Sequence, residues 1–195
     1  MKKICVVGLA IALMMSGLVS SVSATPYVSA NFGLVSASDA TLSGESGNAG
    51  ELSMDSGFGF LAAVGNNFDG LRGEAEVAYR TNDLNKTANG PVVGDISSLA
   101  VMGNLLVDLA ISERVRPFLG AGMGLANIDT GSAALNNSDD TVFAYQMIAG
   151  IGFPLTHITT LDLQYRYFAT TNPEFDGIEA EYETHNFFAG LRFDF

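Results

Sequence analysis

The chain is poor in cysteine, in charge and above all in cations, and it has no tryptophan. Cys5 is the one cysteine and lies among the first residues, so no disulfide framework can staple the fold. Charged residues make up 15% of the 195 positions, against roughly 25% in an average soluble domain. Nine Lys and Arg stand against 21 Asp and Glu, a net charge of −12. That balance excludes a nucleic-acid binder, whose footprint would be a basic patch. Although 48% of the residues are apolar, no stretch beyond the N-terminus is long and apolar enough for a membrane helix.

An uncharged apolar run, Ile4–Val19, follows Lys2 and Lys3 and precedes the small residues SSVSA. This is the layout of a secretory signal peptide, and the run falls short of the ~20 residues a spanning helix needs. Cleavage is expected between Ala24 and Thr25, with residues 1–24 the signal peptide and 25–195 the exported domain. Cys5 lies inside the apolar run, not behind small residues at its end, which argues against a lipid-anchored N-terminus.

What recurs in the rest of the chain is alternation, the period-2 signature of strands with two unlike faces. Leu161, Leu163, Tyr165 and Tyr167 alternate with Thr160, Asp162, Gln164 and Arg166. Leu71, Ala75, Val77 and Tyr79 do so with Arg72, Glu74, Glu76 and Arg80, and Phe187, Ala189, Leu191, Phe193 and Phe195 with Asn186, Gly190, Arg192 and Asp194. Segments beginning near Val28, Gly57, Ser98, Leu119 and Phe143 complete eight strands. Connections near Asn66, Ser112 and Leu155 are short, whereas Ser36–Glu51, Thr81–Asp95, Asp129–Asp140 and Thr170–Glu183 are long, polar and acidic. Short turns at one end and long loops at the other predict an all-β fold, an eight-stranded antiparallel transmembrane barrel of up-and-down topology.

Face composition separates this barrel from a soluble one. The apolar faces contain no Asp, Glu, Lys or Arg, and the polar faces mix Gly, Ser, Asn and Gln with a few charges of both signs. A water-facing surface would be about 25–35% charged, so the apolar face is assigned to lipid and the polar face to the interior. Arg72, Glu74, Glu76, Asp162, Arg166 and Arg192 are then expected to form an interior ion network, because a buried charge is tolerated only when paired. Glu76 on the third strand and Arg166 on the seventh reach similar depth from opposite sides. Eight strands leave an interior that side chains fill, which excludes a wide pore.

The runs VRPFLGAGMGLA (Val115–Ala126), FAYQMIAGIGFPL (Phe143–Leu155) and LDLQYRYF (Leu161–Phe168) resemble consecutive strands of OmpA-type eight-stranded outer-membrane barrels. The final FAGLRFDF is similar to the C-terminal signal read by the outer-membrane assembly machinery, with Gly190, Phe193 and Phe195 at its glycine and aromatic positions. Phe188 departs from it, since that position is usually polar. The resemblance implies the outer membrane of a Gram-negative bacterium, lipid and lipopolysaccharide as surroundings, and a monomer. Some barrels of this kind modify lipid A, and the deacylase pattern needs His-x-Ser. His157 precedes Ile158 and Thr159, and His185 precedes Asn186 and Phe187, so neither matches. The dense acid patch Pro173–Glu183 lacks the spacing of a calcium loop. No catalytic residue, metal or cofactor is expected. The expectation is a structural or adhesin-like surface role in which acidic loops reach an extracellular ligand; the rival readings are a small gated channel and a lipid-modifying enzyme.

Overall fold

The computed structural model describes residues 24–37, 40–44, 47–54, 56–86, 94–109, 111–130, 139–171, 174–175, 178–180 and 182–195. The expected signal peptide falls almost wholly outside them. The described residues form twelve strands: β1 (Thr25–Ala37), β2 (Ala40–Gly44), β3 (Gly47–Met54), β4 (Gly57–Phe68), β5 (Leu71–Lys86), β6 (Gly94–Asp108), β7 (Arg116–Thr130), β8 (Asp139–Pro154), β9 (Thr159–Thr170), β10 (Glu174–Phe175), β11 (Ile178–Ala180) and β12 (Glu183–Asp194).

Eight of these close a barrel, each paired antiparallel with its neighbours in the cyclic order β1–β4–β5–β6–β7–β8–β9–β12. The closing seam runs from Tyr27 opposite Asp194 to Ala37 opposite Thr184. Beyond its end, the Phe195 amide donates to the Pro26 carbonyl at 2.9 Å. The two ends of the barrel chain therefore meet at the rim that carries the three short turns. One of these, between β4 and β5, places Asp69 at φ 57° and Gly70 at φ 96°. Two successive positive φ values are the hairpin turn whose twist matches that of the strands, and the Asn67 side-chain oxygen accepts the Gly70 amide at 2.8 Å.

At the opposite rim the structure corrects the expectation of plain loops. Much of Ser36–Glu51 is strand, in β2 and β3, and Thr170–Glu183 contains β10 and β11. Likewise β5 runs on to Lys86, deep into the expected Thr81–Asp95 loop. The order β10–β11–β2–β3–β5 repeats, above the rim, the order β9–β12–β1–β4–β5 within the barrel. Alternation is legible only while one face meets lipid. A strand that runs beyond the apolar band has no lipid boundary to enforce such a pattern.

The apolar faces point outward. Phe32, Leu105, Met123 and Met147 are each at least 60% exposed, while Arg72, Glu76, Gln146, Asp162 and Arg166 are buried inside. This inverts a soluble barrel: so wide a band of exposed apolar side chains is stable only against lipid. The interior is less polar than the alternation suggests. Val35, Leu61, Ala78 and Phe188 pack in one inward cluster, Leu106, Phe118 and Ile148 in another, and Met102, Ala126, Ile128 and Phe168 belong to a third. Phe188 thus departs from the usual polar residue because its ring fills a gap over Gly59, where an added Cβ would come within 3.1 Å of it.

Val77 and Leu163 lie on the outward face. Val77→Arg and Leu163→Arg are each expected to lower unfolding free energy in bilayers by ~2–4 kcal/mol where they lie near the midplane, as measured by urea titration in vesicles. Stability equal to the parent's for both would contradict the lipid assignment.

Candidate functional site

The middle of the interior is the most elaborately bonded part of the molecule. Period-2 alternation turns Glu74 and Glu76 of β5, Asn104 of β6, Gln146 of β8, and Gln164 and Arg166 of β9 inward, and closure brings them together. Arg166 forms an ion pair with Glu76 and lies 3.7 Å from Glu74. Its Nε donates to Gln164 Oε1 at 3.0 Å, and Gln164 Nε2 donates to Asn31 Oδ1 of β1 at 2.7 Å. Asn104 Nδ2 donates to Glu74 at 3.0 Å and Glu76 at 2.9 Å. Gln146 Nε2 donates to Asn104 Oδ1 at 2.7 Å and to Glu76 at 3.3 Å. One continuous network thus ties five strands across the lumen.

The six interior charges singled out from the sequence fall into three groups. Arg166 joins Glu74 and Glu76. Arg192 of β12 donates to Asp162 of β9 at 3.1 Å and lies 3.7 Å from Asp194. Arg72 donates to Asp108 of β6 at 3.0 Å. Register explains the division: Asp162 sits opposite Gly190 on β12, so Arg192 is the next inward residue along the strand. Arg72 sits opposite Leu106, which puts Asp108 on the same face two residues on. A lone ionised group in this interior would be costly, and each of these has an opposite charge within reach.

Tyr27 is the residue sequence reasoning missed. Its ring has the Arg72 guanidinium 5.8 Å away and that of Arg192 5.7 Å away, and its hydroxyl donates to Glu74 at 2.8 Å. It therefore joins all three groups. The available signal was a tyrosine in phase with Ser29 and Asn31 on the polar face of the first strand.

The two histidines lie outside the interior. His157 is exposed in the turn before β9. His185 is half-buried on the outward side, with Nδ1 2.7 Å from the Tyr165 hydroxyl and its ring against Tyr165 and Tyr167. Among the described residues no three His, Cys, Asp or Glu side chains are grouped to hold a metal ion. Asp129 is exposed at the outer end of β7. Asp39, Glu45, Asp176 and Glu181 lie outside the described residues, and the side chains of Glu51, Asp83, Lys86, Asp95, Asp139, Asp140, Glu174 and Glu179 are not described.

Gly190, Phe193 and Phe195 sit at the closing seam and the rim. An added Cβ at Gly190 would lie 2.2 Å from the Ala30 carbonyl oxygen and 2.3 Å from Asn31 Oδ1. The close approach of β1 to β12 requires glycine there. Phe193 and Phe195 point outward, Phe195 being 74% exposed.

The family model for the outer membrane protein beta-barrel domain matches residues 5–195. The chain belongs to this family. It is an integral protein of the outer membrane of a Gram-negative bacterium. Among solved structures it is similar to Neisserial surface protein A, at 21% identity and a TM-score of 0.61 over 89% of this chain and 99% of that one. OprG from Pseudomonas aeruginosa gives 14% identity and a TM-score of 0.63 over 88% and 96%. AlkL in lipid bilayers gives 16% and 0.52 over 92% and 94%. At such identities these likenesses establish the fold alone. Comparison with curated proteins finds no match.

A double-mutant cycle with Glu76→Gln and Arg166→Met is expected to show ~0.5–3 kcal/mol of non-additivity in unfolding free energy; additive losses would mean the pair is not coupled. Gly190→Val is expected to cut the folded fraction sharply, read from the gel-mobility shift of folded against unfolded barrel, because the seam cannot close over a side chain.

Proposed function

We propose that this barrel is a monomeric envelope protein whose body serves to display its outer loops to an extracellular partner. The observation that carries this is the contrast between its two halves. The interior is crossed by a buried network drawn from five strands, which favours a filled core over a conduit. The barrel ladder meanwhile continues past the rim as the β10–β11–β2–β3 sheet, a base for loops that carry function. The acid-rich sequence around Glu174–Glu183 gives that surface a negative character suited to a cationic partner. Among the described residues neither histidine has a third group orienting it as a base toward a nucleophile, so they lend a catalytic role no support.

In this reading residues 1–24 are removed on export, Gly190, Phe193 and Phe195 present the assembly signal, and the long connections face the outside. Protease added to whole cells should cut within 36–51, 81–95, 129–140 or 170–183 and spare the turns near Asn66, Ser112 and Leu155. Cells or membranes carrying the parent barrel should retain a partner that is lost after such shaving. In planar bilayers the purified protein should give no sustained conductance; a steady open level would favour the small-channel reading.

A further inference from the structure

Arg80 is the one interior arginine that the ion network leaves out among the described residues. Its side chain is fully buried on the inward face of β5, four residues beyond Glu76 toward the outer rim. The guanidinium carbon lies 4.0 Å from the Phe168 ring centroid, a stacking that attracts a cation but gives its N–H groups no lone pair in their own plane. None of its three nitrogens has a hydrogen-bond partner. Two hydroxyls beside it are buried and equally unpartnered. Ser98 is its direct cross-strand neighbour on β6, and the Tyr182 ring meets Phe168 edge-on at 6.3 Å. Glu76 balances the charge through space, yet its oxygens already take Arg166, Asn104 and Gln146. The fully buried Arg80 guanidinium therefore leaves every one of its donors unused and shares this part of the interior with two unpartnered hydroxyls and the apolar side chains of Ile96, Ala100, Met102 and Ala126.

Buried donors in so apolar a setting call for an acceptor, and an anion answers all three at once. We propose that the outer half of the barrel interior is an anion site in which Arg80, Ser98 and Tyr182 hold a chloride-like monoanion. Glu76 sets the charge class, because its carboxylate, four residues along β5 and in through-space contact with Arg80, would repel a dianion such as sulfate more than a monoanion. The low dielectric of the surrounding apolar side chains strengthens each donor's hold on the ion. Anion occupancy would brace the mouth of the barrel, joining β5, β6 and the start of β12 above the level of the Glu76–Arg166 network.

The test is the line width of the chloride NMR signal over the full chain refolded in detergent micelles, titrated at constant ionic strength against gluconate. The parent should broaden the signal saturably, and added bromide should narrow it again by displacement. Arg80→Gln should abolish the effect, and Ser98→Ala and Tyr182→Phe should each weaken apparent affinity about tenfold, as expected for one hydrogen bond to a charged group. If Arg80→Gln does not refold, the two hydroxyl variants decide. No saturable broadening by the parent, or the same broadening in every variant, would overturn the site and leave Arg80 as a through-space counter-charge to Glu76.

Discussion

Hydrocarbon offers no partner to a backbone N–H or C=O, and every feature of this barrel follows from the need to leave none open. A sheet of these strands would have two exposed edges, and the pairing of β1 with β12 removes both. That closure depends on small residues where strands approach most closely, Gly190 against Ala30 and Asn31 and Gly33 against the Phe187 carbonyl. It also creates an inside. Once the ladder is a cylinder, every second side chain is forced into a shared lumen and the others into lipid.

The lumen has to be filled, and this chain fills it in two ways. At middle depth the filling is polar: Arg166, Glu76, Glu74, Asn104, Gln146 and Gln164 satisfy one another across the bore. Toward the outer rim it turns apolar, with Ile96, Met102, Ile128 and Phe168 packed together. Charges are stable in the first zone because each has a partner, and Tyr27 links them by placing one ring between two arginines. Arg80 stands at the boundary between the zones, which is why its charge is balanced and its hydrogen bonds are not.

Membrane body and outer surface obey different rules. Within the apolar band the strands must alternate, so substitutions are constrained residue by residue. Beyond it β2, β3, β10 and β11 continue the backbone ladder, and no lipid boundary imposes alternation on them. The family match spans residues 5–195, both regions together. Proteins at 14–21% identity share this architecture, because alternation constrains the kind of side chain on each face and not its identity, and the architecture by itself names no task.

The alternation of Leu161–Tyr167 against Thr160–Arg166 by itself determined the strands, the lipid-facing side and the all-β class, because period-2 patterning is local and a lipid boundary enforces it. The scarcity of cations and the eight patterned segments were enough to exclude a nucleic-acid binder and a wide pore. Which charge meets which was decided only by the closed structure: Asp108 partners Arg72 and Asp162 partners Arg192 through cross-strand register. The inward packing of Phe118, Phe168 and Phe188 was equally hidden, since an isolated apolar residue in a strand does not declare its face. Strand pairing beyond the rim had no local signal at all. Contacts between residues such as Glu76 and Arg166, 90 positions apart, exist only because the cylinder closes and brings opposite walls within a side chain's reach.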